Sequence, residues 1–395
     1  MKNRLRAALK PTLFVCALLL IAAAVPFSLV LKTLRRRPRS LWTGTPIITM
    51  ATNARAERRL GVEALSLVTH TYYVTSAFDV NLSRLRVVPV AGLLVPFAVF
   101  VWACLWFDRL HFYCDSGILP SGGPFQFHFG ELWTYRLLRL KVFLWTYGAD
   151  VRSRIATLAL GEPNCCTDCK LVGKACICEE DTRTRYVARL RGYACAIFSM
   201  GDMIEYTPGS RNDLFFWPID LAAESGEKYR PAYPSAGAVA PLRVVHAPNH
   251  RMFKGTRFLE QAVAELKAEG VGIDLVVVEA VPNQRAIEIY RSADVIFDQC
   301  LVGFHGYVAL EGMALGKPVM CFIRKPEQYL LASDECPLIN IRVETIKSEL
   351  RRLAANRAEL HDLGKQGRRY IERYFTPEAF AGRLQRAYEQ LGVMP

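Results

Sequence analysis

A glycine-bearing stretch in the second half of the 395-residue chain is the segment best suited to chemistry. It runs from Gly303 to Tyr307, where an apolar helix pattern begins. Unpaired backbone N–H groups and the dipole at a helix start attract a diphosphate. Glu311 lies one turn into this helix, where its carboxylate can accept hydrogen bonds from ribose hydroxyls. The same pattern also fits a plain strand-to-helix turn that carries a solvent-facing glutamate.

Two cations precede this stretch, in the loop 249–255. Arg251 and Lys254 follow a predicted strand, Leu242–Ala247, and cations at the carboxyl end of a strand can neutralise phosphate oxygens. A single cation of this kind is more often only solvated. Because the two coincide with a second anion-binding loop, we expect residues 251–255 and 303–311 to converge on a pyrophosphate.

The order of these residues resembles the donor-binding half of the GT-B glycosyltransferases of the large retaining class related to sucrose and glycogen synthases. The matching residues lie within positions 242–323 and are Arg251, Lys254-Gly255, Asp298-Gln299, Gly306 and Glu311-Gly-Met-Ala-Leu-Gly-Lys-Pro-Val. The resemblance implies that the Arg/Lys pair holds the nucleotide diphosphate and that Glu311 holds the ribose.

One departure from the family concerns the donor sugar. The family's paired-glutamate motif would place its first glutamate at position 303, which is Gly303 in this chain. That glutamate contacts the donor sugar in the family, so the resemblance does not imply which sugar is bound. Asp298, His305 and Tyr307 are candidates for part of its role, and the backbone of residues 303–307 is the alternative.

Two aspartates are the candidate catalytic residues of the first half. Asp115 and Asp150 each follow a predicted strand, where a carboxylate can orient an acceptor hydroxyl or support an oxocarbenium-like transition state. The stretch Gly148-Ala-Asp150-Val-Arg152 resembles a turn found in some members of the family. For Asp150, a turn cap or a salt bridge to Arg152 is an equally weighted alternative.

Four cysteines crowd into thirteen residues of the first half. They are Cys166, Cys169, Cys176 and Cys178. Four thiolates can hold a structural zinc ion and close a loop too short to have its own core. The single residue between Cys176 and Cys178 is not a standard zinc-ribbon spacing, so free thiols are the other interpretation. We expect no obligatory cofactor, and structural zinc is the one candidate metal.

Alternating strand and helix patterns predict two Rossmann-like doubly wound α/β domains of GT-B type behind an N-terminal membrane-anchor helix. The first strand is predicted at Pro46–Ala51. The predicted parts are an anchor (1–40), an acceptor domain (41–235) with a Cys-rich insertion (161–182), a nucleotide-sugar-binding domain (236–375) and a crossover C-terminal helix (376–395).

Composition and charge distribution point to a membrane surface. The chain is 51% hydrophobic, which excludes disorder, and its formal net charge is +13. Residues 1–39 hold nine basic residues and no acidic one, which leaves 41 basic and 37 acidic residues elsewhere. The charge therefore favours lipid over nucleic acid as a partner.

Pro11–Leu31 is an uncharged run of 21 residues, long enough to span a bilayer of about 30 Å. An interfacial helix is the alternative, and a cleaved signal peptide fits less well. For a second apolar stretch, Val87–Phe107, we favour a buried core helix leading into a buried strand.

These features together predict a membrane-associated glycosyltransferase that acts with retention. It moves a sugar from a nucleotide-diphosphate donor to a glycan or lipid-linked acceptor in cell-envelope polysaccharide synthesis. Nucleotide sugars are cytosolic, so we expect the enzyme at the inner (cytoplasmic) membrane with both large domains facing the cytoplasm. A nucleotide-sugar epimerase on the same fold and a non-catalytic nucleotide-binding scaffold are the alternatives.

Overall fold

Two parallel sheets organise the chain in a computed structural model that describes residues 2–393 except 122, 124–125, 168, 171, 173–179 and 238–239. Within these residues the first sheet has six strands, in the order β3-β2-β1-β4-β5-β6. The strands are β1 (Arg39–Trp42), β2 (Glu63–Val68), β3 (Val80–Asn81), β4 (Arg109–Tyr113), β5 (Lys141–Trp145) and β6 (Ala196–Phe198). The helices of this half are α1 (Lys2–Leu34), α2 (Met50–Arg58), α3 (Ser83–Arg86), α4 (Pro89–Trp106), α5 (Phe129–Leu137), α6 (Arg154–Ala159) and α7 (Glu180–Arg191).

The second sheet has five described strands, in the order β11-β10-β9-β7-β8. They are β7 (Leu242–His246), β8 (Ile273–Val277), β9 (Val295–Gln299), β10 (Val319–Cys321) and β11 (Ile339–Asn340). The helices are α8 (Arg251–Lys254), α9 (Thr256–Ala268), α10 (Asn283–Arg291), α11 (Tyr307–Ala314), α12 (Pro326–Tyr329), α13 (Ile346–Ala355), α14 (Arg357–Tyr374) and α15 (Pro377–Gln390). The two predicted doubly wound α/β domains are therefore present.

The topology of each sheet creates a crevice at its carboxyl edge. In the first sheet, β1 lies between β2 and β4, with Leu41 opposite Leu65 on one side and Leu110 on the other. In the second sheet, β7 lies between β8 and β9. In each sheet the chain winds outward in one direction and then in the other, so the loops after the two central strands diverge and leave room for a ligand.

The pattern of α9 shows how the sequence specifies these units. Leu259, Val263 and Leu266 recur at helical spacing and are buried, which fixes the inner face of the helix. Gly270 follows the helix with a φ of +81°, a left-handed conformation that suits glycine and ends the helix.

The start of the first sheet differs from the sequence prediction. The strand predicted at Pro46–Ala51 is wrong, because α2 begins at Met50 and the first strand is β1. β1 has only four residues and directly follows the arginine cluster, so it shows no alternating pattern. The predicted boundary after residue 40 therefore falls inside a central strand.

Helix α15 returns to the first domain and packs on α2. Its Tyr388 hydroxyl donates to Glu57 Oε1 at 2.8 Å. Glu57 is fully buried and also accepts hydrogen bonds from Ser40 and from Trp42 Nε1. Because this cluster joins β1, α2 and α15, the last helix ties the second half of the chain to the first.

Helix α1 packs lengthwise on α4, in the same direction. The Phe14 and Phe100 rings are 6.1 Å apart near one end, and Lys32 Nζ donates to the carbonyl of Phe107 at 2.6 Å near the other. The core interpretation of Val87–Phe107 holds for one face of α4 only, where Phe100 is buried, whereas Val90 is 68% exposed. Both helices are long and apolar enough to cross a membrane, by length and composition alone.

Candidate functional site

Lys254 and the loop before α11 meet at the carboxyl edge of the second sheet. Lys254 Nζ is 2.7 Å from Asp298 Oδ1 at the end of β9. The other Asp298 carboxylate oxygen accepts the backbone N–H of Gly306. A Cβ atom at Gly306 would lie 2.8 Å from Lys254 Nζ, so the ammonium group lies directly against this loop. The two segments that the sequence analysis expected to converge are thus in contact.

The electrostatics of this contact depend on the burial of Asp298. Its carboxyl is fully buried, which by itself favours the neutral acid, but Lys254 and Gly306 favour the charged form and hold the pKa of Asp298 below its ordinary value. Gln299, the next residue, shapes the loop, because its Oε1 accepts the N–H groups of Leu301 and Val302 at 2.8 and 2.6 Å. The result is an ordered loop with a cation beside it.

Helix α11 begins at this loop. Its N-cap is Gly306, which supplies no side chain to cap the first turn, and none of the first-turn residues is acidic. A helix of this kind presents backbone N–H groups and the positive end of its dipole. With Lys254 at the same point, the geometry suits an anion.

Glu311 lies inside α11 and is buried, in contrast to the solvent-facing alternative. Its Oε1 accepts hydrogen bonds from Asn283 Nδ2 at 2.7 Å and from the Tyr229 hydroxyl at 3.1 Å. Burial raises the pKa of Glu311 to about 7. Asn283 also reaches the other domain, because its backbone N–H donates to the carbonyl of Val74 at 3.2 Å. Glu311 therefore lies where the two domains meet.

The candidates for the role of the missing glutamate are all engaged within the protein. Asp298 pairs with Lys254, and the Tyr307 hydroxyl donates to the carbonyl of Pro218 at 3.1 Å. His305 is buried, and burial lowers its pKa to about 4, so its ring is neutral at pH 7.

Position 303 itself has a left-handed backbone, with a φ of +91°. A Cβ atom there would lie 3.2 Å from the Arg324 side chain. Arg324 crosses to the first domain and donates to the carbonyls of Leu160, Gly161 and Pro163. An arginine that bridges the two domains thus lies beside the position where the family has its glutamate.

Arg251 is placed differently from Lys254. Its side chain is 43% exposed, and its guanidinium group pairs with Glu279 at 2.9 Å and with Glu260. Both pairs lie on the surface of the second domain. To bind a diphosphate, Arg251 would have to exchange these carboxylates for phosphate oxygens.

A cavity of about 460 Å³ lies between the domains, next to Arg251. The second domain contributes residues 249–253, and the first contributes the turn around Arg152. Arg152 makes a bidentate pair with Asp202, with both contacts at 2.7 Å. The cavity therefore has cationic groups from both domains in its wall.

Asp115 lies at the carboxyl edge of the first sheet, just beyond β4. It is 5% exposed and lines a second cavity of about 590 Å³. Its carboxylate accepts hydrogen bonds from Thr45 Oγ1, at 2.6 and 2.7 Å to its two oxygens, and from the Tyr147 hydroxyl at 2.8 Å. Because Tyr147 also lines the inter-domain cavity, it connects the two spaces.

Asp150 has a different environment. It has no exposed surface, and its Oδ1 accepts the backbone N–H groups of Tyr147 and Gly148 at 2.9 and 2.8 Å. Burial and the neighbouring Asp115 raise its pKa to about 7. This geometry is that of a turn cap, and Arg152 pairs with Asp202 instead of Asp150.

The structure describes only two of the four cysteines of the cluster. Cys166 and Cys169 line the inter-domain cavity, whereas Cys176 and Cys178 lie outside the described residues. Among the residues that the structure describes, no group of three or more His, Cys, Asp or Glu side chains is placed to hold a metal ion.

Four residues of the site were not found from the sequence: Tyr229, Asn283, Arg324 and Asp202. None belongs to a motif with a fixed spacing. Asn283 follows Pro282, and a proline is typical of the start of a helix; this is the one local signal that points to Asn283.

No protein-family model matches the chain, and no curated protein sequence matches it either. Solved structures do match. Sucrose-phosphate synthase from Thermosynechococcus elongatus is 14% identical, with a TM-score of 0.58, over 91% of this chain and all of that one. HepE of Anabaena, solved in complex with UDP-glucose, is 11% identical, with a TM-score of 0.55, over 89% of this chain and 99% of that one.

A glycosyltransferase from Rickettsia africae is 10% identical, with a TM-score of 0.54, over 90% of this chain and 99% of that one. All three likenesses extend over both sheets and nearly the whole length of each neighbour. The chain therefore has the GT-B fold that its motifs predicted.

Proposed function

On this GT-B framework, we propose that the chain is a glycosyltransferase that moves a sugar from a nucleotide-diphosphate donor to an acceptor held by the first domain. The observation that carries the proposal is the contact of Lys254 with Asp298 and with the loop at Gly306, at the start of α11. A cation and a helix N-terminus at one point suit the two negative charges of a diphosphate.

The donor would lie with its diphosphate against Lys254 and the N–H groups of the first turn of α11, while Glu311 accepts the ribose hydroxyls. Asn283 and Tyr229 share the Glu311 oxygen, so they would fix the carboxylate for this contact. The three side chains considered for the sugar are engaged elsewhere, so we propose that the backbone of residues 303–306 contacts the donor sugar.

The transfer step follows from this arrangement. The acceptor hydroxyl oxygen forms a bond to the anomeric carbon, and the bond from that carbon to the donor phosphate oxygen breaks. The nucleoside diphosphate leaves with the electron pair and takes the hydroxyl proton, which is consistent with attack on the same face and with retention. Lys254 and the backbone N–H groups stabilise the charge that develops on the leaving group, and Asp115 orients the acceptor hydroxyl.

Two apolar helices suggest where the reaction takes place. The apolar helices α1 and α4 lie against the first domain, and both are long and apolar enough for a bilayer. We propose that they associate with the inner membrane and that both domains face the cytoplasm, where nucleotide sugars are made. A glycan or lipid-linked acceptor for cell-envelope polysaccharide fits this location.

The experiment is incubation of the full-length protein, in phosphatidylcholine nanodiscs, with UDP-, GDP- and ADP-sugars. We expect one nucleotide sugar to raise the melting temperature and to be slowly hydrolysed or transferred, with the anomeric configuration retained in the product. Glu311→Ala should abolish the shift, and the exposed Lys267→Met is the matched control. Release of an epimerised nucleotide sugar would favour an epimerase, and binding with no turnover on any acceptor would favour a scaffold.

A further inference from the structure

The cavity at Asp115 has a chemical character that the donor site does not explain. It lies at the carboxyl edge of the first sheet, beside the first half of α4. Its wall includes Lys10 from α1, Arg86 from α3 and His70, which follows β2. Burial lowers the pKa of His70 and Arg86 lowers it further, so the two cations near Asp115 are Lys10 and Arg86. A cavity with two cations and one carboxylate suits a ligand that has both an anionic group and hydroxyls.

An apolar groove of about 640 Å³ runs between α1 and α4. Its wall is formed by side chains such as Leu20, Phe27, Val101 and Trp102. Ser28 also lies in this wall, and its hydroxyl donates to the carbonyl of Leu105 at 2.5 Å. The groove wall is therefore mostly apolar and suits a hydrocarbon chain.

The groove and the cavity adjoin. On α1, Lys10 lines the cavity, and Leu13, one turn later, lines the groove. On α4, Leu93 lines the cavity and Leu94 lines the groove. The cavity that holds the two cations and Asp115 therefore lies next to one end of the apolar groove.

Resting on the proposed function, we propose that the acceptor is an amphiphilic alkyl or isoprenoid phosphate that carries a sugar. Its chain lies in the groove between α1 and α4, its phosphate contacts Lys10 and Arg86, and its sugar hydroxyl reaches Asp115. Tyr147 joins Asp115 to the inter-domain cavity, so the hydroxyl faces the side from which the donor arrives. The apolar groove continues into a cavity that offers both cations and the Asp115 carboxylate. A bulk bilayer lipid has no sugar hydroxyl for Asp115, so this arrangement favours the proposed acceptor as the occupant.

The test uses the full-length protein in phosphatidylcholine nanodiscs and two probes, 11-bromoundecyl phosphate and 11-bromoundecanol. Bromine quenches nearby tryptophans, and Trp102 and Trp106 line the groove, so quenching reports occupancy, with the double variant Trp102→Phe/Trp106→Phe as the baseline. We expect the phosphate to reach half-quenching at a concentration at least tenfold lower than the alcohol. The double variant Lys10→Gln/Arg86→Gln should remove this difference, whereas Arg84→Gln, an exposed arginine of the same short helix, should preserve it.

A second variant tests the groove. Ala24 lines it, and Ala24→Phe should raise the half-quenching concentration of both probes. Equal quenching by phosphate and alcohol in the wild type would overturn the anion site, and quenching unaffected by Ala24→Phe would mean that the helices simply lie in bilayer lipid. The nucleotide-sugar melting shift is measured on the same samples. If no nucleotide sugar raises the melting temperature of the wild type while the phosphate probe still binds selectively, the proposed function is refuted and the lipid site is retained.

Discussion

Lys254→Met tests whether one side chain both supports the loop at the donor site and binds the diphosphate. The change removes the cation that faces the fully buried Asp298. Breaking a buried ion pair by removing one partner costs about 3–5 kcal/mol. Lys254 keeps 13% of its side chain exposed and Asp298 keeps its bond from Gly306, so we expect a loss of about 2–3 kcal/mol. For a domain of this size, that loss lowers the melting temperature by about 5–10 °C.

The double variant Lys254→Met/Asp298→Asn separates the two roles. Replacing the buried carboxylate by a neutral amide removes the unpaired charge, so most of the stability should return. The affinity for the nucleotide sugar should stay at least tenfold lower, because the cation is still missing. The assays are calorimetric melting and isothermal titration of the donor, with Lys267→Met, an exposed lysine of α9, as the matched control.

Two results would refute this reasoning. One is a single variant Lys254→Met that melts and binds the donor like the wild type. The other is a double variant that recovers donor binding together with stability. The pH dependence gives a further check: Lys254 lowers the pKa of Asp298, so the pair stabilises the fold above the unfolded pKa of about 4, and this contribution is lost as the pH falls through the folded value.

Three other predictions concern the donor, the acceptor and the helices. Burial raises the pKa of Glu311 to about 7, so its ionised form is lost as the pH falls. The affinity for the nucleotide sugar, measured by isothermal titration, should therefore drop about tenfold from pH 8 to pH 6. In Glu311→Gln the affinity should not change with pH over this range. Asp115→Asn should lower the transfer rate about 100-fold in a product assay, with the donor-induced melting shift unchanged. Deleting residues 2–34 should leave both sheets folded by circular dichroism but expose α4, and size-exclusion chromatography without detergent should then show aggregation.

The second sheet could be predicted closely because each of its units carries its own signal. The predicted strand Leu242–Ala247 is β7, within one residue, and the apolar helix pattern that begins at Tyr307 is α11. Buried parallel strands appear as short apolar runs, and glycines mark the ends of the helices between them. These signals are local, so no knowledge of the tertiary fold was needed.

The first sheet was harder to predict for a physical reason. β1 pairs with β2 on one side and with β4 on the other. Its four residues form a strand because of these partners, since they carry no hydropathy pattern of their own. The stretch that forms α4 was predicted as a core helix because Pro89 and Pro96 interrupt it and a second apolar segment, Leu110–Cys114, follows it. The sequence could not show that α1 covers part of its outer face.

The candidate site was likewise predictable only in part. The convergence of Lys254 with Gly306 follows from their positions after adjacent strands, which the order of the elements already indicates. The environment of Glu311 does not follow, since its partners Tyr229 and Asn283 are 82 and 28 residues away in the sequence. The burial of Asp150 likewise depends on a turn that packs only in the folded domain.

Hydrogen–deuterium exchange of the full-length protein, with and without the nucleotide sugar that raises its melting temperature, measures the donor site most directly. We expect slowed exchange to appear together in peptides covering 249–255 and 303–311, the two segments joined through Lys254 and Asp298. Protection confined to one of these segments, or located elsewhere while the donor is bound, would contradict this expectation.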